Sequence, residues 1–122
     1  KSAGLSRQKV SYLKNIAKNF NNRSFDIKKL KKMKDIEAIN YITQLKGLGV
    51  WSAQMFLMFN LNRVDIYPTA DIGLLRAISI NYKTSYPPSK IFLKKISNLH
   101  LGYRTVLTWY MWRSIDPVDV EY

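Results

Sequence analysis

Apolar residues recur along this chain at spacings of three to five, the stripe of an amphipathic helix, and no segment alternates strongly at the two-residue period of a strand. That pattern predicts an all-α fold. Leu5, Val10, Leu13, Ile16, Ala17 and Phe20 carry it first, with Ser6 as the N-cap. Asn21, Asn22 and Ser24 break it, and Phe25, Ile27 and Leu30 suggest a short second helix. Asp35 is placed to cap a third, with Ile36, Ile39, Tyr41, Ile42 and Leu45 as its apolar face. The compact turn Gly47-Leu48-Gly49 leads into an apolar helix from Trp51 to about Phe59. Residues 60–70 read as a loop interrupted by Pro68, and Asp71 to Ile80 as another helix. Pro87-Pro88 starts a further one through Leu93 and Ile96, and the last runs from about Tyr103 to Arg113 before Asp116-Pro117. With no internal repeat and no evident linker, residues 1–122 read as a single helical domain.

A chain of 122 residues can bury one core without staples. Cysteine is absent, which removes a disulfide framework, a thiolate zinc site and a cysteine-ligated iron–sulfur cluster. No apolar run of 18 residues is present, so no membrane span is expected. The start lacks a charged-then-apolar signal pattern, so an intracellular location is expected, in the cytoplasm or nucleoid of a prokaryote or the nucleus of a eukaryote. Twenty Lys and Arg against eight Asp and Glu give a net charge of +12. Such a basic domain usually meets a polyanion, with nucleic acid the first candidate and simple solubility the alternative. Lys28, Lys29, Lys31, Lys32 and Lys34 form the densest charge run, which reads as a solvated helix face before it reads as a contact.

The acids are unevenly placed. Asp26, Asp35 and Glu37 lie early and Asp116, Asp119 and Glu121 at the end, leaving Asp65 and Asp71 alone between Ala38 and Ile115. A carboxylate isolated among cations is either a helix cap or a working group. The turn at Gly47 and Gly49 is the second notable feature. Glycine tolerates positive φ and allows close approach, and the amides at the start of the following helix favour an anion such as a phosphate. A tight helix connection with nothing bound is the alternative.

The segment Leu45-Lys46-Gly47-Leu48-Gly49-Val50-Trp51-Ser52-Ala53 resembles the DNA-binding hairpin of the helix-hairpin-helix DNA glycosylases. Val64-Asp65-Ile66-Tyr67-Pro68-Thr69-Ala70-Asp71, continuing through Ala77, resembles their catalytic loop and the helix it opens. Gly4 through Leu13 is similar to the helix before the hairpin, and Tyr103 through Arg113 to the final helix of the alkylated-base-removing type, 3-methyladenine DNA glycosylase II. Four segments in the right order make the resemblance specific.

The resemblance implies a helix-hairpin-helix glycosylase bundle that flips an alkylated purine from double-stranded DNA and hydrolyses its N-glycosidic bond in base excision repair. Asp71 would be the essential carboxylate, stabilising the sugar cation and handling the attacking water. The amides around Gly47 and Gly49, helped by Ser52, would hold a DNA phosphate. The carbonyls of Thr43, Leu45 and Leu48 are the positions for a monovalent cation, Na or K, with no other cofactor required. Trp51 and Trp112 would line the base pocket, where an indole face attracts a cationic base by roughly 0.5–2 kcal/mol; Trp109 is assigned to the core.

Bifunctional members carry a nucleophilic lysine at the position of Trp51, so a monofunctional enzyme is implied. Met55 departs from an aromatic pocket residue of a relative, which bears on substrate range. The chain also begins, without Met, where the family's domain is already under way, so an N-terminally incomplete domain is expected, with the upstream segment of the same domain as its partner and otherwise a monomer. Asp65 is expected to hydrogen-bond within its loop, and His100 to lie in a loop or at a helix end. Arg7, Arg76 and Arg104 are phosphate-contact or ion-pair candidates, Arg76 also as an orienter of Asp71. A non-enzymatic duplex-DNA-binding module, a glycosylase for another damaged or mismatched base, and a helical interaction domain remain the alternatives.

Overall fold

The computed structural model describes residues 4–116. Pro117, Asp119 and Glu121 lie outside the described residues. Seven α-helices follow in order among the described residues, and no strand is present among them. They are α1 (Arg7–Asn21), α2 (Ile27–Leu30), α3 (Asp35–Thr43), α4 (Val50–Phe59), α5 (Ile72–Asn81), α6 (Lys90–Leu99) and α7 (Arg104–Arg113). The chain divides into two compact units, with the boundary between Phe56 and Leu57 inside α4.

In the first unit, Ser6 caps α1 as its sequence position predicts, its side chain accepting from Lys9 N at 3.2 Å. The apolar stripe of α1 is not buried, however. Leu5, Val10, Leu13 and Phe20 are all exposed, and α1 has no fully buried residue. The core of this unit comes instead from Phe25, Leu30, Ala38, Ile42, Leu45 and Ala53. Phe25 stacks on Tyr41 with ring centroids 4.7 Å apart, and the Tyr41 hydroxyl accepts from Asp26 N at 2.9 Å. The lysine run is solvent-exposed, but it spans only the short α2 and the turn after it rather than one helix face.

Asp35 does not cap α3. Lys34 occupies the N-cap, Asp35 is the first helical residue, and Glu37 reaches back to accept from Lys34 N at 3.0 Å. A glutamate three residues into a helix can satisfy the cap's own N–H in this way. Ile36 is 75% exposed, because the buried side of α3 is set by Ala38, Ile42 and, beyond the helix, Leu45.

In the second unit, α5 packs against α7. Leu57, Met58, Leu74, Ala77, Ile78, Ile96 and Leu107 are buried, together with Ile66 and Pro68 of the loop that leads to α5. Thr105 knits that loop to α7. Its hydroxyl donates to the Arg63 carbonyl at 2.7 Å and accepts from Ile66 N at 2.9 Å, while Thr105 N donates to the Val64 carbonyl at 3.0 Å. Pro87-Pro88 does not itself start α6. Ser89 does, its hydroxyl accepting from Phe92 N at 3.1 Å. His100 ends α6 as expected, with Nδ1 2.9 Å from the Ile96 carbonyl. No described helix is long and apolar enough to cross a membrane.

Candidate active site

Asp71 caps α5. Its backbone is extended (φ −77°, ψ 118°), and its Oδ1 accepts from Leu74 N at 2.6 Å. The same oxygen accepts from the indole Nε1 of Trp112 at 2.8 Å. The carboxylate thus closes a helix end and is also held across to α7. Trp112 is fixed in turn by Phe59, whose ring lies parallel to the indole (8° between planes) at a centroid distance of 6.1 Å. A methyl group at Gly73 would stand 3.2 Å from Asp71 Oδ1 and 3.4 Å from Trp112 Nε1, so the missing side chain there keeps the contact open. Arg76 is exposed, and the groups seen to orient Asp71 are Leu74 and Trp112, not that arginine.

Asp65 does not bond within its own loop. It accepts from Gly102 N at 2.9 Å and Arg104 N at 3.2 Å, and takes a bidentate guanidinium contact from Arg104 Nε (2.6 Å) and Nη2 (2.7 Å). The Arg104 side chain is the main reason its carboxyl is held below the usual 3.8, against the opposing effect of burial. Arg104 is thus an ion-pair partner, and its Nη1 also reaches Ser97 Oγ at 3.2 Å. Tyr67, half-buried in the same loop, has its hydroxyl pushed up to about 12, first by burial and then by Tyr82.

In the first unit, α3 ends at Thr43 and the chain turns through Gly47 and Gly49 into α4. Gly47 alone of these two has positive φ, +100°, and a side chain there would collide with the ring of Tyr12 from α1. Gly49 needs no such conformation. A methyl group on it would meet nothing within 4 Å, so this glycine leaves an open face beside the first turn of α4. Trp51 is 48% exposed, while Ser52 and Met55 are partly buried on the same helix. Thr43, Leu45 and Leu48 bring backbone carbonyls to the end of α3 and the turn, where helix geometry leaves carbonyls without intrahelical donors. That of Leu45 already accepts from Leu48 N at 3.1 Å. Oxygen donors of this kind fit a monovalent cation. No cluster of three His, Cys, Asp or Glu suited to a metal ion occurs among the described residues.

Asp71 and Trp112 are therefore brought together in the second unit, and Gly47, Gly49, Trp51, Ser52 and Met55 belong to the hairpin and α4. Sequence reasoning missed Phe59, whose only signal was its place four residues after Met55 on α4. It also misplaced Trp109, which is 41% exposed. With Met58, Phe59, Asn62, Val106, Tyr110 and Arg113 it lines a cavity of about 590 Å³.

No protein-family model matches the chain. It is 30% identical to DNA-3-methyladenine glycosylase 1 of Schizosaccharomyces pombe, over 98% of this chain and 53% of that protein. To the DNA-3-methyladenine glycosylase of Saccharomyces cerevisiae it is 32% identical, over 90% of this chain and 47% of that protein. Among solved structures, the Schizosaccharomyces pombe 3-methyladenine DNA glycosylase in complex with abasic DNA superposes with a TM-score of 0.81 and 28% identity, over 98% of this chain and 58% of that one. The chain thus spans about half the length of the relatives it matches. The all-α, helix-hairpin-helix fold expected from the sequence is the one it shares with them.

Proposed function

For a chain whose homologues are DNA-3-methyladenine glycosylases, over about half their length, we propose a monofunctional DNA N-glycosylase that releases alkylated purines from duplex DNA. The observation that carries this reading is the Asp71 carboxylate at the start of α5, held by Leu74 N and by Trp112 Nε1.

In the reaction the bond between the base nitrogen and C1′ breaks, and its electron pair leaves with the base. An N-alkylated purine carries positive charge beforehand and departs neutral, which makes it a good leaving group. The sugar is left with cationic character, and a carboxylate beside it stabilises that charge. Water then bonds to C1′ and gives its proton to Asp71. The product is an abasic site in an intact strand. Trp51 stands where a bifunctional enzyme would need a lysine, and an indole supplies no nucleophile for a Schiff base.

The hairpin supplies the grip. Amides of the first turn of α4, opened by the bare Gly49 and flanked by Ser52, suit a DNA phosphate. The carbonyls of Thr43, Leu45 and Leu48 would hold a Na or K ion there, contributing positive charge toward that phosphate. The excess of 20 Lys and Arg over eight acids suits the remaining backbone charges, engaged by a single copy of the chain. Trp112, beside Asp71, is proposed to contact the flipped base, and the family resemblance adds Trp51 and Met55 of α4 as base-contacting residues, an indole face being attracted to a cationic ring.

The test is single-turnover release of 3-methyladenine from alkylated duplex DNA by the protein in its full natural length. Asp71→Asn keeps an oxygen acceptor for Leu74 N, so the variant is expected to fold and bind DNA while losing roughly a hundredfold or more in rate. Wild-type protein that binds duplex DNA and releases no alkylated base would refute the assignment.

A further inference from the structure

Trp112 has two faces and one edge, and the edge is committed. In the function proposed above its ring is a pocket wall, a role that any large aromatic could fill. Its Nε1–H points to Asp71 Oδ1 at 2.8 Å, and Leu74 N donates to that same oxygen at 2.6 Å. The terminal torsion of an aspartate is broad and roughly two-fold. Two donors converging on one oxygen, one from the first turn of α5 and one from α7, select a single orientation of the carboxylate. The indole plane is itself held by the parallel ring of Phe59. Gly73 completes the arrangement, since a Cβ there would press on Oδ1 at 3.2 Å and on Trp112 Cδ1 and Nε1 at 3.4 Å.

We propose that Trp112 is a positioning residue of the glycosylase reaction, its indole N–H setting the orientation of the Asp71 carboxylate, with Gly73 as the opening through which the two meet. The inference rests on the glycosylase reading and adds to it a role that ring stacking does not supply. A carboxylate that must face both C1′ and the incoming water works only within a narrow range of orientations. The N–H fixes that orientation before substrate arrives.

The decisive variant replaces Trp112 with benzothienylalanine, which keeps the size and aromatic faces of tryptophan but has sulfur where the N–H was. Trp112→Phe and Gly73→Ala accompany it, the latter disturbing the contact while leaving the indole in place. Each is assayed for single-turnover release of 3-methyladenine. Each is also assayed for affinity to duplexes holding a cationic pyrrolidine or a neutral tetrahydrofuran in place of the target sugar.

The expected result for the isostere is unchanged affinity for the tetrahydrofuran duplex, release slowed roughly tenfold to hundredfold, and a weakened preference for the pyrrolidine duplex. Gly73→Ala is expected to shift the same two readouts. Release at the wild-type rate by the isostere, with its preference for the cationic analogue intact, overturns the inference and leaves the glycosylase reading standing. Equal loss of affinity for both analogues also overturns it, since that pattern belongs to a pocket wall. A wild-type protein that neither releases the base nor prefers the cationic analogue removes the glycosylase reading, and this inference with it.

Discussion

Replacing Asp65 by asparagine changes one oxygen to an amide nitrogen and removes one charge from the junction between the Asp71 loop and α7. The native carboxylate takes four N–H donors, two from the backbone of Gly102 and Arg104 and two from the Arg104 guanidinium. Asparagine can keep one oxygen toward the backbone donors, but its NH2 then faces Arg104, donor against donor. The Nη2 contact to Oδ2 is lost, and the Nε contact to Oδ1 keeps only a neutral acceptor, where a charge-assisted hydrogen bond is worth about 1.5–3 kcal/mol when fully formed. The two side chains are 26% and 24% exposed, so water recovers part of that loss.

The net expectation is a destabilisation of about 2 kcal/mol, which lowers the urea midpoint by about 1 M with unchanged slope. Acid provides a second readout. The Asp65 carboxyl is held below its ordinary 3.8 in the folded state. Its contribution is therefore present above that value and fades as pH falls through the lower folded value. The gap between wild type and Asp65→Asn should be full at neutral pH and close in acid. A gap below about 0.5 kcal/mol at neutral pH, or one that persists undiminished in acid, would refute the reasoning.

The two hairpin glycines should respond in opposite ways. Gly47→Ala forces a side chain into a +100° φ and within 2.6 Å of Tyr12 Cβ, so a loss of about 2–4 kcal/mol is expected by urea unfolding. Gly49→Ala meets nothing within 4 Å and should leave stability within about 0.5 kcal/mol while weakening affinity for undamaged duplex DNA, measured by fluorescence anisotropy. Thr105→Val preserves shape but removes the hydroxyl that serves the Arg63 carbonyl and Ile66 N at a site only 2% exposed. A cost of about 2–4 kcal/mol in thermal or urea unfolding is expected.

Much of this protein is written locally. The helical period, the Ser6 cap, the glycine turn and the break before Asp71 follow from the chemistry of a few neighbouring residues, and the structure keeps all four. Local reasoning failed where two good signals competed. Asp35 is a fine cap residue, but Glu37 could reach back to Lys34 N, and the helix began one position earlier. It also failed on burial, since the apolar stripe of α1 is regular in sequence and exposed in the structure. Periodicity reports which face could be buried, not what lies against it.

The sequence by itself determined the all-α class, the glycine turn between α3 and α4 and the place of Asp71 at a helix start, because backbone propensity and capping act within a turn or two of helix. Only the tertiary structure decided what that carboxylate touches. Trp112 lies 41 residues from Asp71, and Arg104 lies 39 from Asp65. Pairings across such separations leave no periodic trace, for they depend on how α5, α7 and the loop before α5 come to lie against one another.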